Sequence, residues 1–252
     1  MARECGFELA GVAAALPPPE ATAFLAWLQS GMAGEMTYLT DRRARLRLDP
    51  RSLLPSARSI VCVGKLYNGP QPYSTSFDDA GLAWISRYAW GEDYHSLLRR
   101  GLERLVEKLR AGAPGGFDWK ICVDTAPLLE RAFARHAGLG WIGKNTCLIN
   151  QQSGSWFFLG ELLTSLELEP DAPPPDRCGT CTRCIDACPT EAIVPTGRPE
   201  GPSHFLDSRL CISYFTIEFR GFIPEPLRAR SAATCSDAIS ARTSAPGTAA
   251  RR

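Results

Sequence analysis

The chain has 252 residues, 44% of them hydrophobic, with 28 Lys and Arg against 27 Asp and Glu for a formal net charge of +1. That length accommodates one large domain or two small ones around a buried core, and the charge balance argues against a disordered polyelectrolyte while leaving a local basic face open. The longest apolar stretches, 59–66 and 156–163, fall far short of the roughly 20 residues that span a bilayer, and the acid-bearing start Met1-Ala-Arg-Glu-Cys-Gly-Phe-Glu lacks the basic-then-apolar run of a secretory signal, so a cytoplasmic location without membrane contact is expected.

Taken in chain order, residues 20–36 place Ala23, Phe24, Trp27, Leu28 and Met32 at helical spacing behind Pro17-Pro18-Pro19, an entry helix ending near Gly31 and Gly34. Residues 58–67 are β-branched and apolar and run into Asn68-Gly69-Pro70, which predicts a buried strand followed by a turn. The clearest helix is 93–110. Leu97, Leu98, Leu102, Leu105, Val106 and Leu109 share one face, with Arg99, Arg100, Glu103, Arg104, Glu107 and Lys108 around the other, and Gly112 follows its end. A strand is expected at 119–123, a helix at 128–137, and two more strands at 145–149 and 156–163. This mixture without strict alternation predicts an α+β layer fold. The proline-rich break at 169–176 predicts a domain boundary, giving units at 1–170 and 171–230 and a tail at 231–252.

Ten cysteines are many for a cytoplasmic chain, and four of them, Cys178, Cys181, Cys184 and Cys188, fall within eleven residues. The run Cys178-Gly-Thr-Cys181-Thr-Arg-Cys184-Ile-Asp-Ala-Cys188-Pro189 has the C-x2-C-x2-C-x3-C-P spacing of bacterial ferredoxins, in which three thiolates wrap one [4Fe-4S] cube and the fourth ligates a second. A zinc knuckle is the competing reading, but it takes its ligands as two separated pairs, commonly with His.

Other patterns carry less. Gly138-Leu-Gly140-Trp-Ile-Gly143 spells G-x-G-x-x-G, but a predicted helix precedes it and a strand follows, the reverse of a dinucleotide site. Its glycines are better read as permitting tight turns or close backbone approach. Asp93-Tyr-His95 has the spacing of a cobalamin lower-ligand motif, yet Leu98 stands where that motif has glycine, which leaves His95 as a helix-start residue. Asp124, at the end of a predicted strand, is either a reactive carboxyl or the N-cap of the following helix.

Several stretches together resemble the epoxyqueuosine reductase family: Gly34-Glu-Met36, residues 85–95 (ISRYAWGEDYH), Val123-Asp-Thr-Ala-Pro127, residues 138–145 (GLGWIGKN), the cysteine run, and residues 211–218 (CISYFTIE). The resemblance implies a nitroreductase-like cobalamin-binding domain followed by a ferredoxin-like domain with two [4Fe-4S] clusters. It implies reduction of the epoxide of epoxyqueuosine to an alkene in tRNA, the last step of queuosine biosynthesis, with electrons from a low-potential donor. By the same resemblance Asp124 is the proton donor, Cys178, Cys181, Cys184, Cys188 and Cys211 are cluster ligands, and Arg47, Arg87, Tyr88, Lys144 and Asn145 are candidate contacts to corrin or substrate. The basic run 42–51 and Arg99, Arg100 and Arg104 are candidate contacts to tRNA phosphates, against a default reading as a solvated charged face. A monomer is expected.

The tail departs from the family. After Cys211 the family continues with a segment like FGCDxCQxxCPWN, whereas residues 236–248 read SDAISARTSAPGT. Read one base earlier, the degenerate codons of these thirteen residues permit FGCDICQDVCPWN, turning Ala238, Ala241 and Ala245 into cysteines. A frame slip between Pro226 and Arg230 is therefore expected, with an incomplete ferredoxin-like domain and at most one cluster in the chain as written. The helical-repeat domain of longer family members is also expected to be missing. Two rival functions remain at this stage: an iron-sulfur electron carrier, which the roughly 170 residues before the cysteines oppose, and another corrinoid reductase, such as one removing halide, which would typically carry a twin-arginine signal.

Overall fold

The structure, a computed structural model, describes residues 1–73, 76 and 85–228. The expected out-of-frame tail at 231–252 lies outside the described residues. Mixed helix and sheet is what they show. Four antiparallel strands form the main sheet in the order β1 (Leu9–Ala14), β2 (Ser59–Leu66), β6 (Phe157–Thr164) and β3 (Trp119–Cys122). Alternation along each strand decides which face each residue serves. Val61, Val63 and Leu162 pack with Leu98, Leu102, Leu105 and Val106 of helix α4 (Tyr94–Gly112) on one face. Ile60, Cys62, Cys122 and Leu163 pack with Phe133, Ala134 and Ala137, in and just after helix α5 (Glu130–His136), on the other. Gly11 of β1 permits that second layer, since a Cβ there would overlap the Ala137 carbonyl.

The long helix and the two central strands stand where sequence periodicity places them, and the remaining boundaries move for local reasons. Helix α1 spans Glu20–Gln29 and stops short of residue 36, because the chain turns through Gly31 and Gly34 at φ 68° and 59°. Two short helices, α2 (Thr37–Thr40) and α3 (Arg42–Leu46), follow it. The strand expected at 145–149 is confined to β5 (Leu148–Ile149), paired with β4 (Trp141–Ile142), because Gly143 donates to the Cys147 carbonyl at 2.9 Å and closes a turn. The glycines of 138–143 serve close approach, as expected: a Cβ on Gly140 would overlap the Ile149 carbonyl.

Beyond the prolines come helix α6 (Arg183–Asp186), the β7 (Ile193–Pro195) and β8 (His204–Leu206) hairpin, a π-helical turn at Tyr214–Glu218, and helix α7 (Glu225–Arg228). The proline-rich stretch is not a free spacer. Asp171 exchanges backbone and side-chain bonds with Val12, both at 2.8 Å, extending the edge of the main sheet. Trp27 Nε1 donates to the Leu206 carbonyl at 2.7 Å, Ser208 N–H to Met32 at 3.0 Å, and Glu35 N–H to the Tyr214 hydroxyl at 2.9 Å. These bonds seat the cysteine-bearing region against α1 and the Gly34-Glu-Met36 turn. Tyr214 fills the space that a Cβ on Gly34 would occupy.

Candidate active site

Where those two parts meet lies a cleft of about 940 Å³, near the upper end of the range for small-molecule sites. Phe24, Trp27, Met36, Leu129 and Ile142 give it apolar walls, Arg43 and Arg47 a basic edge, and Asp124 and Cys211 face it from distant points of the chain.

Asp124 is placed by backbone geometry. It follows β3 with φ 52°, the left-handed region that non-glycine residues seldom occupy. Its N–H donates to Glu130 Oε1 at 2.6 Å, a short bond that holds this conformation. The N-cap alternative is overturned: α5 begins at Glu130, and its preceding residue is Leu129, with no side-chain cap. Asp124 Oδ2 lies 3.2 Å from His95 Nε2, and His95 Nδ1 lies 2.8 Å from Asp93 Oδ1. His95 is thus more than a helix-start residue. Partial burial works to lower its pKa, but hydrogen bonds to Asp93 and Asp124 outweigh it and raise the value above the ordinary imidazole range. Tyr94, which stacks on His95 at 4.1 Å and on Phe158 at 4.4 Å, fixes the ring's plane. The Asp124 side chain is 55% exposed and opens onto the cleft.

Behind Asp124 stand two acids that sequence reading passed over. Glu130 is pushed up to about 7, first by burial and then by the neighbouring Asp124 charge. Glu161 is fully buried, and burial followed by the Glu130 charge pushes it well above the carboxylate range. Its signal was visible: it is the lone acid in the apolar run 156–164, at a position whose neighbours on that face are core residues. Tyr38 was missed as well. Burial, then its hydrogen bond to Glu218 at 2.9 Å, raises it to about 12 and keeps it a neutral donor on the cleft wall.

The other predicted contacts separate. Arg47 lines the cleft and donates to the carbonyls of Tyr38 and Arg43 at 3.2 and 3.1 Å. Arg87 is buried away from it, bonded to Asn68 Oδ1 and the carbonyls of Gly69 and Gln71 and lying over the rings of Tyr73, Trp90 and Trp156. Tyr88 is half-buried beside that clamp and does not line the cleft. Asn145 is buried in the turn before β5, where its Oδ1 accepts from Cys147 N–H at 3.2 Å. Lys144 reaches the cysteine run, donating to the carbonyls of Gly179 and Cys181 at 2.8 and 3.0 Å. Of the candidate phosphate contacts, Arg43 pairs with Asp41, Arg51 with Asp49 and Arg100 with Glu92, while Arg104 donates to the Cys5 carbonyl.

All nine described cysteines are free thiols. Burial, and then the neighbouring Cys178, raises the Cys184 thiol. Cys184, Cys188 and Cys211 share a core cluster with Ile193, Tyr214 and Phe215, and Cys178 packs with Trp141 and Ile149. Among the described residues no three His, Cys, Asp or Glu side chains converge as ligands of a single ion; a cube spreads its thiolates over four irons, so its ligands stand further apart. Ala192 N–H donates to Cys188 Sγ at 3.4 Å, an amide contact of the kind that tunes cluster thiolates. The donor set fits iron-sulfur chemistry. Lys144→Ala is expected to free the loop 178–181, to lower the iron retained after reconstitution by at least about half, and to lower thermal stability modestly, because its two hydrogen bonds contribute about 1 kcal/mol each. Iron assay and thermal melting of the variant check it.

Residues 47–125 match the family described as "Epoxyqueuosine reductase QueG, DUF1730", and residues 177–238 match the "4Fe-4S double cluster binding domain". An epoxyqueuosine reductase of Leadbetterella byssophila is 40% identical over 232 residues, covering 91% of this chain and 71% of that protein. This chain belongs to the epoxyqueuosine reductase family. The epoxyqueuosine reductase of Xanthomonas campestris is 44% identical over 234 residues, covering 90% of this chain but 62% of its own length. The chain thus spans about three fifths of that longer relative. Among solved structures, the Streptococcus thermophilus epoxyqueuosine reductase superposes with a TM-score of 0.85 at 30% identity, over 100% of this chain and 65% of that one. An epoxyqueuosine reductase crystallised with an epoxyqueuosine-modified tRNA-Tyr stem loop gives 0.82 at 30% identity, over 99% and 64%. A Bacillus subtilis epoxyqueuosine reductase whose catalytic Asp loop is swung out of the active site gives 0.81 at 28% identity, over 99% and 63%. Among the described residues no helix is long and apolar enough to cross a membrane.

Proposed function

We propose that the chain is the catalytic part of an epoxyqueuosine reductase, an oxidoreductase that reduces the epoxide of epoxyqueuosine in tRNA to the alkene. The observation that carries this reading is the cleft itself, where Asp124, held in a left-handed conformation, and Cys211 of the cysteine region face one space. The relative crystallised with a modified stem loop supports tRNA as the macromolecular substrate. On this reading residues 1–170 form a nitroreductase-like domain that takes cobalamin and the modified base, and residues 171–230 form a ferredoxin-like domain. The protein works in the cytoplasm as a monomer, fed by a low-potential electron donor.

A flat, polar-edged macrocycle suits a cleft with Phe24, Trp27, Leu129 and Ile142 as apolar walls and Arg43 and Arg47 at its rim. Cys178, Cys181 and Cys184 are assigned to one [4Fe-4S] cube, and Cys188 and Cys211 to the second. Bound cobalamin supplies a strongly reducing metal centre, and the clusters supply single electrons at low potential. The chain's own residues handle position and protons. Opening an epoxide to an alkene takes two electrons and two protons and releases water, so the departing oxygen needs an acid at hand. Asp124 delivers a proton to that oxygen, and the bound substrate excludes the water that now reaches its carboxyl. Arg47, with both hydrogen-bonded carbonyls on its own neighbourhood, holds the rim in place. Arg87 acts by clamping the loop 68–71 outside the cleft, Asn145 by fixing the turn before β5, and Lys144 by fixing the cysteine run.

The cofactor half of this reading has its own test. The chain as written is expected to retain cobalamin at micromolar concentration, because the cleft walls lie almost wholly within the described residues before the tail. Absorbance after reconstitution and desalting measures it; a folded chain that elutes free of corrin overturns it.

A further inference from the structure

One residue of strand β4 serves the cleft and the other the cysteine run, since successive strand residues face opposite ways. Ile142 lines the cleft, whereas Trp141 stays out of its wall, is 3% exposed, and packs with Ile149 and Cys178. Ile149 stands opposite Trp141 in the β4–β5 register, and Gly140 lets the two strands close up, since a Cβ there would overlap the Ile149 carbonyl. The indole is held between that strand pair and the cysteine run. Its Nε1 is buried and has no hydrogen-bond partner among the described residues. A buried N–H left unpaired costs free energy, because folding strips it of water and returns nothing. The segment 140–145 therefore meets the 178–181 turn, which Cys181 N–H closes on the Cys178 carbonyl at 2.9 Å, in two ways. Lys144 Nζ donates to the carbonyls of Gly179 and Cys181, and Trp141 brings an unused donor beside Cys178. Trp156 Nε1 is also unpartnered, but its indole lies among Tyr67, Tyr73 and Arg87, a set without sulfur.

We propose that Trp141 Nε1–H donates to a sulfur of the cube that Cys178 ligates, and so raises the reduction potential of that cube. This rests on the assignment of Cys178, Cys181 and Cys184 to one [4Fe-4S] cluster. Cluster thiolates and sulfides are the acceptors that this dry pocket otherwise lacks, and an N–H directed at them stabilises the more negative, reduced form. Ala192 N–H has the corresponding place at Cys188, 3.4 Å from its Sγ, so an amide serves one cysteine group and an indole the other. Trp141 is a cluster contact. It acts on how readily the electron is taken up and leaves the proton chemistry at Asp124 alone. Phenylalanine at 141 keeps an aromatic body against Ile149 and Cys178 and removes the N–H.

The test needs no turnover. The chain is labelled with nitrogen-15 at its indoles, reconstituted anaerobically with iron and sulfide, and reduced. Pulsed electron paramagnetic resonance of the reduced cube is expected to show a nitrogen-15 coupling that survives in Trp27→Phe and Trp156→Phe and disappears in Trp141→Phe. A mediated redox titration of the same samples is expected to move the midpoint of Trp141→Phe downward by about a tenfold change in the reduction equilibrium, about 59 mV for one electron, at unchanged iron content. Packing against the cube without a hydrogen bond gives no such coupling. A wild-type cube without the coupling, or one whose coupling persists in Trp141→Phe, overturns the bond and leaves the cluster assignment standing. A coupling without a shift in midpoint overturns the effect on the potential. If the chain as it stands assembles no cube, the same spectra are taken on the protein with the full set of cluster ligands; absence of iron there overturns the cluster assignment and the bond together, so the two failures are distinguishable. If Trp141→Phe loses its iron, the wild-type spectrum and the two control variants decide: a coupling that survives both controls supports the bond, and its absence overturns it.

Discussion

Asp124→Asn is expected to lower epoxide reduction about 10²- to 10⁴-fold, the range over which a positioned acid contributes, while cobalamin and iron contents stay near those of the parent. The amide keeps the volume, and the backbone N–H that Glu130 accepts at 2.6 Å is untouched, so the left-handed conformation at φ 52° survives. What is lost is the transferable proton, while the amide oxygen of Asn can still accept from His95 Nε2, which lies 3.2 Å from Asp124 Oδ2. The measurement is turnover of epoxyqueuosine in a tRNA stem loop by a protein carrying the full set of cluster ligands. Turnover at the parent's rate would remove Asp124 from the chemistry and leave its strained backbone without a purpose. A loss of cofactor in the variant would instead make Asp124 part of the binding wall.

The second large effect concerns the clusters and follows from counting ligands. Two cubes need about eight thiolates, and the family-matching cysteines are Cys178, Cys181, Cys184, Cys188 and Cys211. The alternative reading of residues 236–248, outside the described residues, provides three more at positions 238, 241 and 245, which closes the count. We therefore expect at most one labile cluster in the 252-residue chain and about eight irons per chain after a one-base correction between the codons for Pro226 and Arg230. Iron and sulfide assays on both proteins measure the difference. Eight irons in the uncorrected chain, or codons in the gene that disallow the shifted reading, would dispose of the frame slip.

What the sequence determined by itself follows from patterns that are local. Helix α4 was legible because its apolar stripe repeats for five turns, and β2 and β6 because a central strand buried on both faces reads as a continuous apolar run. The cysteine spacing was legible because a cube imposes its ligand separation on a single short loop. Asp124 was legible as a candidate through its place after a strand and through the family motif, but its backbone conformation was not. Positive φ in a residue with a side chain is stable only when something distant holds it, here Glu130 across a turn.

The tertiary structure decided the rest, because it joins residues that no spacing relates. Lys144 reads in sequence as part of a glycine-rich loop, yet its ammonium lands on the carbonyls of Gly179 and Cys181, because β4, β5 and the cysteine run pack together through Trp141, Ile149 and Cys178. Arg87 reads in sequence as a candidate contact to corrin or substrate, and what only the fold shows is that three aromatic rings and two loop carbonyls converge on its buried guanidinium. Edge strand β1, with Gly11 under α5, and the short helices at 37–46 have too few residues to show a period. Glu161 is the sharpest case: in sequence it is one acid in a strand, and only antiparallel register sets it between two buried thiols.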